Sequence, residues 1–425
     1  MDRDTADNVQ RLEIDGASLL RQIERLGEIG REPDGGRTRL ALSDQDKCAR
    51  DQLVQWMKEL ELDVKIDPIG NIFGILYGEG ESCADALMIG SHIDTVIDAG
   101  PFDGVYGVLS GLAVARAFRN TGVRPLRPLI VAAFTNEEGV RFQPDMMGSL
   151  FFTGGIPIDD ALATRGIDGA FLGEELRRIG YKGETEPSSL VPAEYLELHV
   201  EQGPVLDSKQ MEIGVVENLQ GISWKRIEIS GTANHAGTTP VSMRRDAGVA
   251  AARIVIFLRE LALSSEGTRT TVGSLRFSPD LINVIPSKAV LTVDIRDPES
   301  ARLADAEKQL LRFLEELRTK EGVELSVKSL ARFEPVRFDE ELASIIEDAA
   351  KKRGYSSMRI TSGAGHDAQM LARVAKAAMI FVPSRGGISH NPAEYTPEEQ
   401  LLQGANVLLD VVSGRLLKEG NKTEV

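Results

Sequence analysis

Met88-Ile-Gly-Ser-His-Ile-Asp-Thr-Val-Ile-Asp-Ala-Gly-Pro-Phe-Asp-Gly-Val-Tyr-Gly107 ends a short apolar run on a histidine and a series of acids. Leu87, Met88 and Ile89 suit a buried strand, so His92 and Asp94 emerge where its carboxyl end reaches solvent, the usual ligand position in an open α/β sheet. Asp103-Gly104 then starts a helix rich in Ala, Gly and Leu. Taken alone, such a strand end is a surface loop more often than half of a metal site, because metal ligands need company. The other four histidines supply it. His199 lies in Leu196-Glu-Leu-His-Val-Glu-Gln-Gly203, His235 in Asn234-His-Ala-Gly237, His366 in Gly363-Ala-Gly-His-Asp367 and His390 in Gly386-Gly-Ile-Ser-His-Asn-Pro392. A chain of 425 residues with only five histidines, all close to Gly, Asp, Glu or Asn, is not using them as filler.

Outward from this stretch the periodicities alternate. Helical spacing covers Ser18 to Ile29 and Ser43 to Leu60, the second with Ser43 as N-cap and Asp44 and Asp46 in its first turn. Strands are predicted over Leu62 to Ile66, Ile72 to Tyr77 and Ala86 to Gly90, then a helix over Gly104 to Asn120. Pro128 to Phe134 is a continuous apolar run, as a strand covered on both faces should be, and it leads into Thr135-Asn-Glu-Glu-Gly139. Broken helical pieces, Asp159 to Thr164 and Ala170 to Ile179, precede a strand over Glu194 to Val200. This order predicts an α/β fold with ligands at strand ends.

From about residue 215 the order changes. Strand Trp224 to Ile229, helix Asp246 to Leu263, strands Thr270 to Phe277 and Ala289 to Ile295, helix Ala301 to Lys320 and strand Val323 to Leu330 read as βαββαβ, the ferredoxin-like split unit. Such a unit is complete in itself. The expected organisation is therefore a mixed-sheet catalytic domain in two parts, residues 1–214 and 334–425, with a domain of residues 215–333 inserted between them. A helix over Phe338 to Arg353, a strand over Ala375 to Val382 and a helix over Pro397 to Leu416 complete the second part.

Length and an apolar content of 42% allow two cores rather than one. The net charge of −16, without a basic cluster, argues against nucleic acid and anionic membrane surfaces as partners. Cys48 and Cys83 make neither a disulfide framework nor a thiolate zinc site, and their scarcity fits a reducing cytoplasm. Residues Met1 to Asp7 are acidic, and no apolar run reaches the roughly 18 residues of a membrane span. The expected location is cytoplasmic.

Catalytic zinc-like ions take imidazole and carboxylate ligands and keep a position for water, which they make acidic enough to be a nucleophile near neutral pH. His92, Asp103, Glu138, His199 and His390 are such ligands, with Glu137 beside them. A lone Glu-Glu pair after a strand is more often a solvated turn, but here it accompanies the other ligands.

At this point the chain resembles the M20 family of metal-dependent amidohydrolases and peptidases, in its branch of N-carbamoyl-L-amino acid hydrolases, β-ureidopropionases and allantoate amidohydrolases. The motifs that carry the resemblance are Gly90-Ser-His-Ile-Asp-Thr-Val96, Phe102-Asp-Gly104, Asn136-Glu-Glu-Gly139, Glu197-Leu-His-Val-Glu-Gln-Gly-Pro204, Asn234-His-Ala-Gly-Thr-Thr-Pro240, Asn283-Val-Ile-Pro286, Asp294-Ile-Arg296, Ser362-Gly-Ala-Gly-His-Asp-Ala368 and Gly387-Ile-Ser-His-Asn-Pro392. The resemblance implies two divalent ions per subunit, zinc first and manganese, cobalt or nickel as alternatives, held by His92, Asp103, Glu138, His199 and His390 with Asp103 bridging. It implies Glu137 as general base and Asp94 as the acid that orients His92. His235 would stabilise the oxyanion, and Gln202, Asn283, Arg296 and Gly365 would contact the substrate. An arginine fork suits a carboxylate, although from the residues alone Arg296 is equally an ordinary ion pair. The inserted domain would be a lid and the contact of a homodimer. His366 is given no ligand role.

The implied reaction is hydrolysis of a small ureido acid, an N-carbamoyl-L-amino acid in first place. Allantoate, β-ureidopropionate or a dipeptide are alternatives, as is a catalytically dead binding protein. Two departures from the family pattern bear on this. Ile97-Asp-Ala-Gly-Pro101 stands where relatives usually have paired glycines, and Gly221-Ile-Ser-Trp224 stands where the allantoate enzymes tend to carry arginine, so Ser223 and Trp224 argue against allantoate.

Overall fold

The computed structural model describes residues 12–417, so the outermost ends of the expected catalytic domain, with the acidic Met1 to Asp7, lie outside the described residues. Two compact units are formed, one by the chain up to Glu217 together with the chain from Phe338 onward, the other by Asn218–Arg337. The strands are β1 (Asp63–Ile66), β2 (Ile72–Leu76), β3 (Leu87–His92), β4 (Leu129–Phe134), β5 (Glu194–Val200), β6 (Ile213–Leu219), β7 (Gly221–Ser230), β8 (Arg269–Ser278), β9 (Lys288–Asp297), β10 (Glu324–Phe333), β11 (Val336–Arg337), β12 (Ser357–Ser362) and β13 (Lys376–Val382).

In the first unit the sheet runs β1-β2-β4-β3-β5-β13-β6, with β12 also paired to β6. The sheet is mixed: β4, β3, β5 and β13 are parallel to one another, while β1, β2 and β6 run antiparallel to their neighbours. Strands β3, β4 and β5 are buried at every position, because helices cover both faces. On one face Leu87, Ile89, Val131, Leu196 and Leu198 share a core with the helices Gly16–Gly27, Val105–Thr121 and Glu398–Leu416. On the other, Phe134 meets Phe152 edge to face, 5.8 Å between ring centroids, and lies tilted against Tyr195 at 6.3 Å. Parallel pairing has a consequence for function. The carboxyl ends of β3, β4 and β5 fall on one edge of the sheet, so His92, the turn after Phe134 and His199 are brought together by register alone.

The second helix, Asp44–Glu59, is capped as its sequence requires, with Ser43 Oγ accepting the Asp46 N–H at 3.2 Å. Strands β6 and β12 were not anticipated. Ile213-Gly-Val-Val-Glu-Asn-Leu219 straddles the boundary expected at residue 215 and carries no predicted element, yet Val215 and Val216 are buried where β6 pairs antiparallel with β13. β12, Ser357-Met-Arg-Ile-Thr-Ser362, has no apolar run and is half-buried along most of its length, so tertiary pairing decides its state.

The second unit has the element order βαββαβ, with sheet order β10-β7-β9-β8, all antiparallel. Helices Ala247–Leu263 and Ser300–Glu321 share a core with Ile227, Ile229, Leu291, Val293 and Ile295, the residues of one strand face. The opposite face is open, and Trp224 and Phe333 are exposed on it. Helix Ala247–Leu263 begins at Asp246, whose carboxylate accepts the N–H groups of Gly248 and Val249 at 2.8 and 3.1 Å.

Among the described residues no helix is long and apolar enough to cross a membrane. Both cysteines are free.

Candidate active site

The last residue of β3, His92, turns its Nε2 toward the Asp103 carboxylate, 3.6 Å from Oδ1; His199 Nε2 lies 3.2 Å from the same oxygen. Asp103 Oδ2 faces the other way, 2.9 Å from His390 Nε2, which is in turn 3.6 Å from Glu138 Oε2. One carboxylate thus stands between two ligand sets, His92 with His199 and Glu138 with His390. The ring nitrogens that face away are fixed by main-chain carbonyls: His92 Nδ1 meets Asp94 O at 2.9 Å and His199 Nδ1 meets Val200 O at 2.8 Å. Those contacts place a proton on each Nδ1 and make each Nε2 the lone-pair nitrogen, as a metal ligand requires; on His199 the Gly104 N–H meets it at 3.1 Å. Glu138 Oε1 is buried without a hydrogen-bond partner, as a ligand oxygen would be. Imidazole and carboxylate donors in this arrangement fit zinc and its neighbours in the first transition row.

Local backbone builds the cluster. Gly104 has φ +65°, and a Cβ there would meet His92 Nε2 at 2.4 Å, so only glycine leaves room for the imidazole. Asn136, Gln202 and His390 also occupy positive φ, at 57°, 57° and 51°. Left-handed residues other than glycine are held only where surrounding contacts over-determine them. For Asn136 the contacts are Nδ2 donating to Phe142 O at 2.8 Å and Pro144 O at 3.2 Å, which bends the chain so that Glu137 and Glu138 face the ligands.

Asp94 acts on both sides. Its carbonyl holds His92, while its carboxylate, 3.9 Å from the imidazole, accepts the N–H groups of Glu137 and Glu138 at 3.3 Å each. Asp94 therefore orients His92 through its main chain and ties the glutamate pair through its side chain. Glu137 Oε2 is 3.4 Å from His92 Nε2. Burial pushes the Glu137 carboxyl well above the usual range, against the opposing pull of His92. Burial raises Asp103, but the close imidazoles of His199, His390 and His92 outweigh it and hold this carboxyl well below the usual range. The Asp103 contact lifts His390 to about 9.

Gln202 donates through Nε2 to Asp103 Oδ2 at 2.9 Å. Gly365 sits against Met146, and a Cβ there would meet the Met146 Cε at 2.5 Å. His366 is buried with its ring 4.6 Å from that of His199 and its Nε2 3.1 Å from Ser362 Oγ. Two acids went unread in the sequence. Glu197, beneath the ligands, accepts Ser91 Oγ–H at 2.7 Å, Tyr195 O–H at 3.1 Å and the Ala368 N–H at 2.8 Å. The signal was present, since a period of two puts Glu197 on the same face of β5 as His199. Asp367 is fully buried beside it, and burial raises its carboxyl to about 8.

His235, Asn283 and Arg296 belong to the second unit. Asn234 to Ala236 pairs with Asn283 to Ile285, which sets His235 opposite Val284. His235 Nδ1 accepts the N–H groups of Gly237 and Thr238 at 3.0 and 3.2 Å, so the ring proton is on Nε2. The Arg296 guanidinium engages Asp294, two residues back on β9, with Nε 3.0 Å and Nη2 2.9 Å from Oδ2. Ser223, read with Trp224 as a specificity signal, donates to Glu307 at 2.6 Å and so serves the unit's own packing. Of these two residues only Trp224 lies on the open face.

The peptidase family M20/M25/M40 model matches residues 88–414, a span that holds the whole ligand cluster. The chain belongs to this family. Within M20 it is similar to the N-carbamoyl-L-amino-acid amidohydrolase of Rhizobium meliloti, 38% identical over 94% of this chain and 96% of that one. It is also similar to the allantoate amidohydrolase of Bacillus subtilis (strain 168), 34% identical over 93% and 96%. Among solved structures, the hydantoinase/carbamoylase family amidase from Burkholderia multivorans superposes with a TM-score of 0.93 at 39% identity, covering 96% of this chain and 99% of its own. By these likenesses the chain is an M20 amidohydrolase, a hydrolase of non-peptide amides.

Proposed function

We propose that the chain removes the carbamoyl group of an N-carbamoyl-L-amino acid with the help of two divalent ions. The bond between the ureido carbon and the α-nitrogen breaks, water supplies the new oxygen, and the carbamic acid released beside the amino acid falls apart, by loss of its remaining C–N bond, into ammonia and carbon dioxide. The observation that carries the reading is Asp103, whose two oxygens face two separate ligand pairs. Two ions held there, zinc first and manganese, cobalt or nickel as alternatives, would acidify water and polarise the carbonyl. Glu137 takes the proton from the attacking water and hands it to the leaving nitrogen. Asp94 keeps that carboxylate in register with His92. Gln202 and Gly365 line the substrate's position.

The inserted unit supplies the remaining groups and acts as lid. His235, with its proton on Nε2, is a donor for the carbonyl oxygen as it gains charge. Arg296, held by Asp294, receives the substrate carboxylate, with Asn283 beside His235.

The assay is a panel of N-carbamoyl-L-amino acids, their amides, allantoate and ureidoglycolate, with zinc, manganese, cobalt and nickel in turn. Turnover should be greatest on the N-carbamoyl acids, and greater turnover of allantoate would reassign the substrate. Arg296→Lys should raise KM for the acids about tenfold more than for the amides, because a lysine loses the bidentate contact. Equal effects on both would make the arginine structural.

The same unit is assigned a homodimer contact. On helix Ala247–Leu263, Ile254 and Leu258 are buried, while Val249, Ile256 and Leu263, spaced seven residues apart, are exposed. That spacing makes one apolar stripe, and β8 is an edge strand beside the same helix. Sedimentation equilibrium should return a dimer, and a stable, fully active monomer would refute this part.

A further inference from the structure

Three of the least exposed charged side chains in the first unit lie behind the ligand cluster. Arg39 and Arg50 are each 1% exposed and Asp46 is 0% exposed. Arg39 spreads its fork over main-chain carbonyls of separate segments: Nε donates to Ile93 O at 2.6 Å, and Nη1 to Leu26 O at 3.0 Å and Ile29 O at 2.8 Å. Its own backbone is clasped to the same ligand loop, since Arg39 N–H donates to Thr95 Oγ1 at 2.8 Å and Thr95 N–H donates to Arg39 O at 3.0 Å. The residues so held, Ile93 and Thr95, flank Asp94.

Arg50 reaches the other side of the site. It is paired with Asp46 at 2.7 Å and donates to Gly70 O at 2.7 Å and to Thr135 Oγ1 at 3.2 Å, one residue before the strained Asn136 and two before Glu137. Asp46 Oδ2 also accepts the Leu42 N–H at 2.7 Å. A third arginine, Arg141, closes the frame beyond the glutamates by donating to Ala41 O at 3.0 Å. The segment from Arg39 to Arg50 thus touches the chain on both sides of the Asp94 to Glu137 and Glu138 contact.

Burying a guanidinium that has no carboxylate in direct contact is costly, and Arg39 is in that position among the described residues. Burial lowers its pKa to about 10, with the charges of Asp46 and Asp94 acting against the fall. A planar fork spreads five donors over three nitrogens and so reaches carbonyls of separate segments, whereas an ammonium gathers its three donors on one nitrogen and an apolar side chain has none.

We infer that Arg39 and Arg50, carried on one short segment that Asp46 ties to Arg50 through the Leu42 N–H, are positioning residues of the metal centre: they fix the His92 to Thr95 loop and the Thr135 to Glu138 turn relative to each other, so that Asp94 holds ligand and base in register. This rests on the metallohydrolase reading of the cluster. The resulting expectation is that loss of the strut loosens metal binding and slows turnover, with little effect on substrate affinity.

The test uses the full-length protein as Arg39→Met, as Thr95→Val, which removes only the hydroxyl that accepts the Arg39 N–H, and as Val412→Ala. Val412 is a buried core residue of helix Glu398–Leu416 and serves as a control for general loss of stability. Zinc affinity is read by competition with a chromophoric chelator, and kcat and KM at saturating zinc. The zinc dissociation constant should rise roughly 10- to 100-fold in Arg39→Met and at least about threefold in Thr95→Val. In both, kcat should fall while KM stays within about twofold, and Val412→Ala should melt earlier with both zinc affinity and kcat intact. Unchanged zinc affinity in both variants, or in Thr95→Val alone should Arg39→Met fail to fold, overturns the inference, as does an equal loss in Val412→Ala. Wild-type protein that binds no zinc overturns the underlying reading instead.

Discussion

Glu137→Gln is expected to lower kcat by roughly 10² to 10⁴ and to leave metal binding intact. The amide keeps the size of the side chain and can still approach His92, 3.4 Å from Oε2, but it cannot accept a proton from water. The five ligand side chains are untouched, and the main-chain N–H of residue 137 still donates to Asp94, so the geometry of the cluster is retained. KM should change little, because the lost interaction belongs to the transition state. Metal content by elemental analysis and steady-state kinetics on one N-carbamoyl-L-amino acid decide the matter. Near-normal kcat with metal in place would move the base to another residue, and loss of metal would make Glu137 a ligand.

The parts of this molecule that were legible in the sequence are those in which local signal and tertiary demand coincide. The apolar run Leu129 to Phe134 is buried on both faces and reads so at sight, and the alternation in β7 and β9 gives the one-sided sheet of the inserted unit. The candidate ligands could be picked out because histidine is rare in this chain and sits at strand ends and glycine turns. Three kinds of information were not. β12 lacks a pattern of its own and exists because β6 is there to pair with it. Asp94 was expected to orient His92, but its carbonyl faces the imidazole while its carboxylate spans to the glutamates, a division that depends on the folded loop. The buried arginines were invisible for a related reason: Arg39 and Arg50 have a composition suited to a surface, and their burial depends on carbonyls and a carboxylate gathered from distant segments.

Removing the metal should abolish turnover and lower thermal stability together. His92, Asp94, Asp103, Glu137 and His199 are all buried, with Glu197 and Asp367 close beneath them. Carboxyl groups so crowded repel one another when ionised and are costly to desolvate, which is the sense of the raised Glu137 and of Glu138 pushed up to about 8. Divalent ions bound to the folded state alone would offset that repulsion and stabilise by RT ln(1 + [M]/Kd), about 2.7 kcal/mol at a hundredfold excess over Kd. Exhaustive dialysis against a chelator should therefore lower the melting temperature by several degrees and eliminate activity, and readdition of a divalent ion should restore both. The two readouts separate two cases. Full activity in protein shown to be metal-free would end the metallohydrolase mechanism, whereas recovery of stability without recovery of activity would assign the added ion to the ligand cluster but not to catalysis. A titration of zinc into the stripped protein is then informative, because Asp103 alone serves both ligand pairs. Activity should keep rising until the second equivalent is bound, and a plateau after the first would restrict catalysis to one of the two positions.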